Sequence, residues 1–212
     1  TDISALLKDA YNAAAVAVIP GGGTFGMESI ARQFANDQHV MIIRNGWFSY
    51  RWSEILEKGK IALSTTVMMA RREDTGGSNQ MAPFTPVPVD EVVATIRDEK
   101  PAVVFAPHVE TSAGMILPDD YIRAVSDAVH EVGGIFVLDC VASGALWVDM
   151  PALGVDVLLS APQKGWSASP CAGLVMLSER GRAAVAATES SSYVCDVKKW
   201  LAIMETYENG GH

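Results

Sequence analysis

A chain of 212 residues with a formal net charge of −9, 49% hydrophobic and 19% charged, suits one large α/β domain and is too short for two domains of ordinary size. The acidic balance, with no cluster of Lys and Arg beyond the pair Arg71 and Arg72, argues against nucleic acid as a partner, and no apolar run reaches membrane-spanning length. Three cysteines, Cys140, Cys171 and Cys195, odd in number and widely spaced, indicate neither a disulfide framework nor a zinc knuckle and fit a reducing, cytoplasmic interior.

The chain opens on "TDISALLKDAYNA" with no signal-peptide pattern, so abruptly that a targeting end is expected to be missing. Ala15 to Ile19 then reads as a buried strand. Three glycines follow, Gly21 to Gly23, and the segment from Met27 sets Met27, Ile30, Ala31 and Phe34 on one helical face. The glycines therefore lie where a strand hands over to a helix N-terminus, a place where free N–H groups and the helix dipole attract anions. Further apolar runs, "HVMIIRN", "KIALSTTV", "PAVVFAPH", "GIFVLDC", "VDVLLSA" and "GLVMLSE", predict six more strands. Between them "VDEVVATIRDE" and "DDYIRAVSDAVHEVGG" carry helical stripes, whereas "PQKGWSASPCA" carries none. The expected architecture is three-layered: a mainly parallel seven-stranded sheet with helices on both faces, "GLVMLSE" returning antiparallel.

In such sheets a ligand sits beyond the carboxyl ends of the strands, so the residues there are candidates: Gly21 to Phe25, Asn45 to Phe48, His108 to Ser112, Asp139 to Val141, and Gln163 with Lys164. Lys164, close in sequence to Trp166 and Pro170, is expected to be partly desolvated, which lowers the pKa of an amine and equips it to attack a carbonyl. Asp139 ends the apolar strand "GIFVLD", where an acid needs a cationic or hydrogen-bonding partner. It also suits an N-cap for the segment starting at Cys140. If their strands are neighbours, the strand ends lie about 5 Å apart, and Asp139 and Lys164 can hold the two ends of one small ring. A pyridoxal ring requires that arrangement, with a carboxylate at its nitrogen and a lysine at its aldehyde carbon.

A second reading competes. Gly21, Gly23 and Gly26 satisfy the dinucleotide fingerprint, and Arg44, at the end of the second strand, suits the 2′-phosphate of an NADP. That reading leaves Asp139 and Lys164 without a purpose. A nucleoside triphosphate site lacks the Lys and Ser/Thr of the Walker pattern.

"GGGTFGMES", "RNGWFSYRW", "HVETSAG", "VLDCVAS" and "SAPQKGWSASPCAGLVMLSER", in that order, resemble the class V aminotransferases of the fold type I pyridoxal-phosphate enzymes, most closely the alanine–glyoxylate and serine–pyruvate group. The resemblance implies a homodimeric enzyme that exchanges an amino group between alanine or serine and glyoxylate or pyruvate. Pyridoxal 5′-phosphate would be the cofactor, with no metal. It makes Lys164 the Schiff-base lysine and proton shuttle, and Asp139 the partner of the pyridine nitrogen. Val141 would pack under the ring, and Phe48, or by a shift of one Trp47, would stack on its other face. Gly23, Thr24 and Gln163 would hold the phosphate and Thr111 the ring hydroxyl region. Lyases and desulfurases on the same fold commonly place His where this chain has Gln163. The family continues beyond "YENGGH" into a small C-terminal domain bearing a carboxylate-binding arginine, and begins with a segment that closes over substrate. Residues 1–212 are thus expected to be its large domain.

Overall fold

Buried strands alternating with amphipathic helices build a sheet covered on both faces. The computed structural model describes residues 2–72 and 82–211. In chain order the elements are α1 (Asp2–Tyr11), β1 (Ala15–Pro20), α2 (Gly23–Phe34), β2 (His39–Arg44), α3 (Trp47–Gly59), β3 (Ser64–Met69), β4 (Arg71–Arg72) and β5 (Phe84–Thr85). There follow α4 (Val89–Glu99), β6 (Val103–Pro107), β7 (Val109–Glu110), β8 (Met115–Ile116), α5 (Asp119–Glu131) and β9 (Ile135–Asp139). The last are α6 (Met150–Leu153), β10 (Val157–Ser160), β11 (Ala172–Leu177), α7 (Glu179–Ala187) and α8 (Val197–Glu208). The main sheet has seven strands in the order β1-β11-β10-β9-β6-β2-β3. β11 runs antiparallel to both β1 and β10. It is the reversed strand expected of "GLVMLSE", reached through the non-helical "PQKGWSASPCA".

Each strand divides its side chains between two cores, because successive residues point to opposite faces. Met41, Ile43, Val104, Phe136 and Leu138 pack on one face with Val92 and Ile96 of α4 and Ile122 and Val125 of α5. Val40, Ile42, Phe105, Val137 and Leu159 pack on the other with Met27 and Ile30 of α2, Trp52 and Leu56 of α3, and Leu201 of α8. Trp52 stacks on Phe105 with ring centroids 4.4 Å apart.

Two boundaries differ from those the sequence predicts. Residues 60 to 63 of "KIALSTTV" connect α3 to β3 instead of starting the strand: Lys60 is the left-handed C-cap of α3, the Ile61 N–H donates to the Leu56 carbonyl and the Leu63 N–H to the Gln38 carbonyl. The aromatic stretch after β2, named from the sequence only as a set of strand-end candidates, is the first turn of α3. The dinucleotide glycines also find a packing role. A Cβ at Gly26 would lie 2.5 Å from a Leu159 methyl and 3.3 Å from the Gly173 Cα, so paired glycines let α2 lie directly against β10 and β11.

Candidate active site

The carboxyl ends of the parallel strands converge on a cavity of about 290 Å³, near the low end for small-ligand sites. Of the strand-end candidates, its lining includes the eight that the resemblance assigns to the cofactor, Gly23, Thr24, Phe48, Thr111, Asp139, Val141, Gln163 and Lys164, and leaves out others such as Phe25, Asn45, His108 and Ser112. Met27, Arg51, Pro107, Val109 and Ala142 complete it. Among these additions Arg51 is the charged group that sequence reasoning missed.

The N-terminus of α2 forms one wall. Its N-cap is Gly22, which offers no side-chain cap, and its first turn carries no acid. The first amides are thus left for a ligand. Gly23 lies close to Val141 and Ala161; a Cβ there would come within 3.3 Å of a Val141 methyl and 3.4 Å of the Ala161 Cβ. The glycine turn therefore overhangs the ends of β9 and β10.

Asp139 ends β9 and the turn bearing Lys164 follows β10; the two strands pair in parallel with Asp139 in register with Leu159. Asp139 is half-buried, and its Oδ1 accepts the Val141 N–H at 2.9 Å. It thus does brace the turn after β9, as the capping alternative expected, while also lining the cavity. Burial pushes its pKa up to about 6, against the Val141 hydrogen bond and the positive charge of Arg51; the Glu110 carboxylate adds to the rise. Such a carboxyl gains by acquiring a cationic partner.

Lys164 is exposed within the turn of residues 162–166. This corrects the sequence expectation of partial desolvation: Trp166 instead bonds Ser160 Oγ at 3.1 Å and packs against Trp147 and Tyr11. Among the described residues no carboxylate pairs with Lys164. The next residue, Gly165, fixes the turn's place, since a Cβ there would collide with the Gly144 carbonyl. The lysine turn and the turn carrying Val141 are thereby held in direct contact.

A buried carboxylate organises the remaining wall. Glu110 accepts the N–H groups of Phe48 (3.1 Å) and Ser49 (2.9 Å) and the hydroxyls of Ser49 (2.7 Å) and Ser112 (2.6 Å). Burial alone would raise its pKa, but the hydroxyl bonds from Ser112 and Ser49 and the backbone bonds outweigh it and hold the carboxyl below its ordinary range. Glu110 thus caps α3 from β7, fixing Phe48 in the cavity wall and its own neighbour Thr111 beside it. Trp47 is 66% exposed and lies outside the cavity, so the register points to Phe48. One turn on, Arg51 lies over the Phe48 ring at 5.7 Å and donates to Thr24 Oγ1 at 3.2 Å.

The competing dinucleotide arrangement fails on topology. It needs the second strand beside the first, whereas β2 is five places from β1 in the sheet, roughly 24 Å at about 4.8 Å per strand. Arg44 instead lies over Tyr50, 5.1 Å from its ring centroid. The cysteines are all free, and burial pushes the thiol pKa of Cys140, the one beside the site, far above its usual value. Among the described residues no His, Cys, Asp and Glu group could hold a metal, and no helix is long and apolar enough to cross a membrane.

No protein-family model matches the chain. It is 31% identical over 191 residues to the 2-aminoethylphosphonate–pyruvate transaminase of Paraburkholderia phymatum, covering 88% of this chain and 47% of that protein. It is 27% identical over 205 residues to alanine–glyoxylate aminotransferase 1 of Saccharomyces cerevisiae, covering 91% of this chain and 49% of that one. The crystal structure of ureidoglycine–glyoxylate aminotransferase from Bacillus subtilis has the same fold, with a TM-score of 0.77 at 21% identity over 96% of this chain and 49% of the other. The architecture is that of the fold type I pyridoxal-phosphate transferases. By sequence the chain's relatives are 2-aminoethylphosphonate–pyruvate and alanine–glyoxylate aminotransferases, and the chain spans about half the length of the curated relatives it matches.

Proposed function

We propose that this chain is the large, cofactor-binding domain of a pyridoxal-phosphate-dependent aminotransferase. The reaction moves an amino group between a small amino acid, alanine or serine, and glyoxylate or pyruvate. The observation that carries this reading is the placement of Asp139 and Lys164 after neighbouring parallel strands, in one cavity with an uncapped helix N-terminus. Each part of the cofactor has a fitting partner. The amides of the first α2 turn, Gly23, Thr24 and Gln163 suit a phosphate, Phe48 and Val141 offer apolar surface to a ring, and Thr111, in the same lining, suits the ring hydroxyl.

Pyridoxal phosphate supplies an electron sink at the substrate's α-carbon when bound. The chain's residues do the rest. The Asp139 carboxylate holds a proton at the ring nitrogen, and the same pairing relieves the cost of burying an acid there. Lys164 Nζ would anchor the cofactor at its aldehyde carbon and take up the proton that leaves the substrate's α-carbon. Phe48 and Val141 exclude water from the two ring faces. A homodimer, as the resemblance implies, and a reducing cytoplasmic setting, as the cysteines suggest, belong to the same proposal. The names of the relatives in Paraburkholderia and Saccharomyces favour pyruvate or glyoxylate as amino acceptor.

The test of cofactor class is a titration of the chain with pyridoxal phosphate and, separately, with NADP. A visible absorption band with pyridoxal phosphate, lost in Lys164→Ala, is expected; NADP binding without that band contradicts the proposal. Transfer is tested in the whole protein by following glycine formed from glyoxylate, with alanine or serine as donor. Turnover surviving Lys164→Ala would contradict the role of the lysine.

A further inference from the structure

Arg51 forms no ion pair among the described residues; beyond the reach of its charge to Asp139, it makes a hydrogen bond to Thr24 Oγ1 and lies over the Phe48 ring. A half-buried guanidinium at a cavity wall, five donors in a rigid fork and one of them used on a hydroxyl, is equipped to bind an anion. Its position says which one. Thr24 lies in the first turn of α2, whose N-cap gives no side-chain acceptor, so the guanidinium and the free amides flank the same end of the cavity. By accepting from Arg51, the Thr24 hydroxyl is left to turn its own proton toward a ligand oxygen.

We propose that Arg51 is a cofactor-phosphate ligand, delivered from the first turns of α3 and completing with Thr24, Gln163 and the α2 amides a cationic cradle for a phosphate monoester. The proposal rests on the reading of the cavity as a pyridoxal-phosphate site. It gives Glu110 a further consequence, since that carboxylate caps α3 and so sets where Arg51 stands. The rival role for Arg51 is to act on the ring end through its charge on Asp139, and the two are separable because pyridoxal carries the ring without the phosphate.

The experiment is equilibrium dialysis of wild type, Arg51→Met and Arg51→Lys against pyridoxal 5′-phosphate and against pyridoxal. Arg51→Met should weaken pyridoxal phosphate about ten-fold or more, the scale of a charge-assisted hydrogen-bonded pair. Pyridoxal binding should stay within about two-fold, which also shows that the variant is folded. Arg51→Lys, keeping the charge without the fork, should fall between. Equal loss with both ligands, or no loss with either, overturns the assignment of Arg51 while leaving the cavity's function standing. Failure of the wild type to bind either ligand overturns the function and this inference with it.

Discussion

Asp139 and Glu110 show how two acids near one site can answer pH in opposite senses. The Asp139 pKa is raised from 3.8 to about 6 in the folded chain, so its contribution to stability is fully present below the ordinary value and is lost as the pH rises through 6. Without ligand, Asp139→Asn should therefore melt at a higher temperature than wild type above pH 6, with the difference vanishing near pH 4. Thermal melts across that range check this. The same variant should retain bound cofactor yet lose several orders of magnitude in turnover in the whole protein, because an amide cannot hold the ring nitrogen protonated. Near-normal turnover would leave Asp139 only its brace at Val141. Glu110 has the reverse sign. Its lowered pKa means stability present above the ordinary carboxylate range and lost as the pH falls through the folded value. Glu110→Gln, which replaces an acceptor-only group by one that also donates, should cost about 1–3 kcal/mol at pH 7 and much less at pH 3. Denaturant melts at the two pH values measure the difference.

At the scale of elements, the boundaries show what a chain's own pattern reveals. The α4 limits Val89–Glu99 coincide with the stripe in "VDEVVATIRDE", and all four residues of the α2 stripe are buried. Those segments are amphipathic and self-contained. α3 is illegible in the sequence because its start signal lies elsewhere: Gly46 provides no capping side chain, and the carboxylate that accepts the Phe48 and Ser49 amides is Glu110 on β7, beyond four intervening strands. Missing α3 meant missing Arg51, although Trp52 and Leu56, four apart and both buried, were a usable clue. The two-residue ladders β4–β5 and β7–β8 are too short to have a period at all. α8 has a local start signal, the Asp196 side chain accepting the Lys199 N–H. The glycine fingerprint misled for a physical reason: Gly26 serves close packing of α2 on β10 and β11. Gly26→Ala should accordingly cost about 1–3 kcal/mol by overpacking and weaken cofactor binding by lifting the α2 N-terminus, both readable from melts with and without pyridoxal phosphate.

Across the whole molecule, one sheet brings together residues that are far apart in sequence. Candidate side chains were legible because parallel strands deliver their carboxyl ends to one edge, so a search of those ends is a search of one place in space. What the pattern did not give was the strand order, in which β1 lies beside β11 and far from β2; that order removes the dinucleotide arrangement and sets the glycine turn over β9 and β10. The central claim is that this convergence is a pyridoxal-phosphate site with Lys164 as its covalent anchor. Reduction of the chain with borohydride after incubation with pyridoxal phosphate, followed by peptide mapping, tests it most directly. The label should fall on the peptide containing Lys164. Label on Lys58, Lys60 or Lys198 instead, or spread over the surface lysines without preference, would contradict the account.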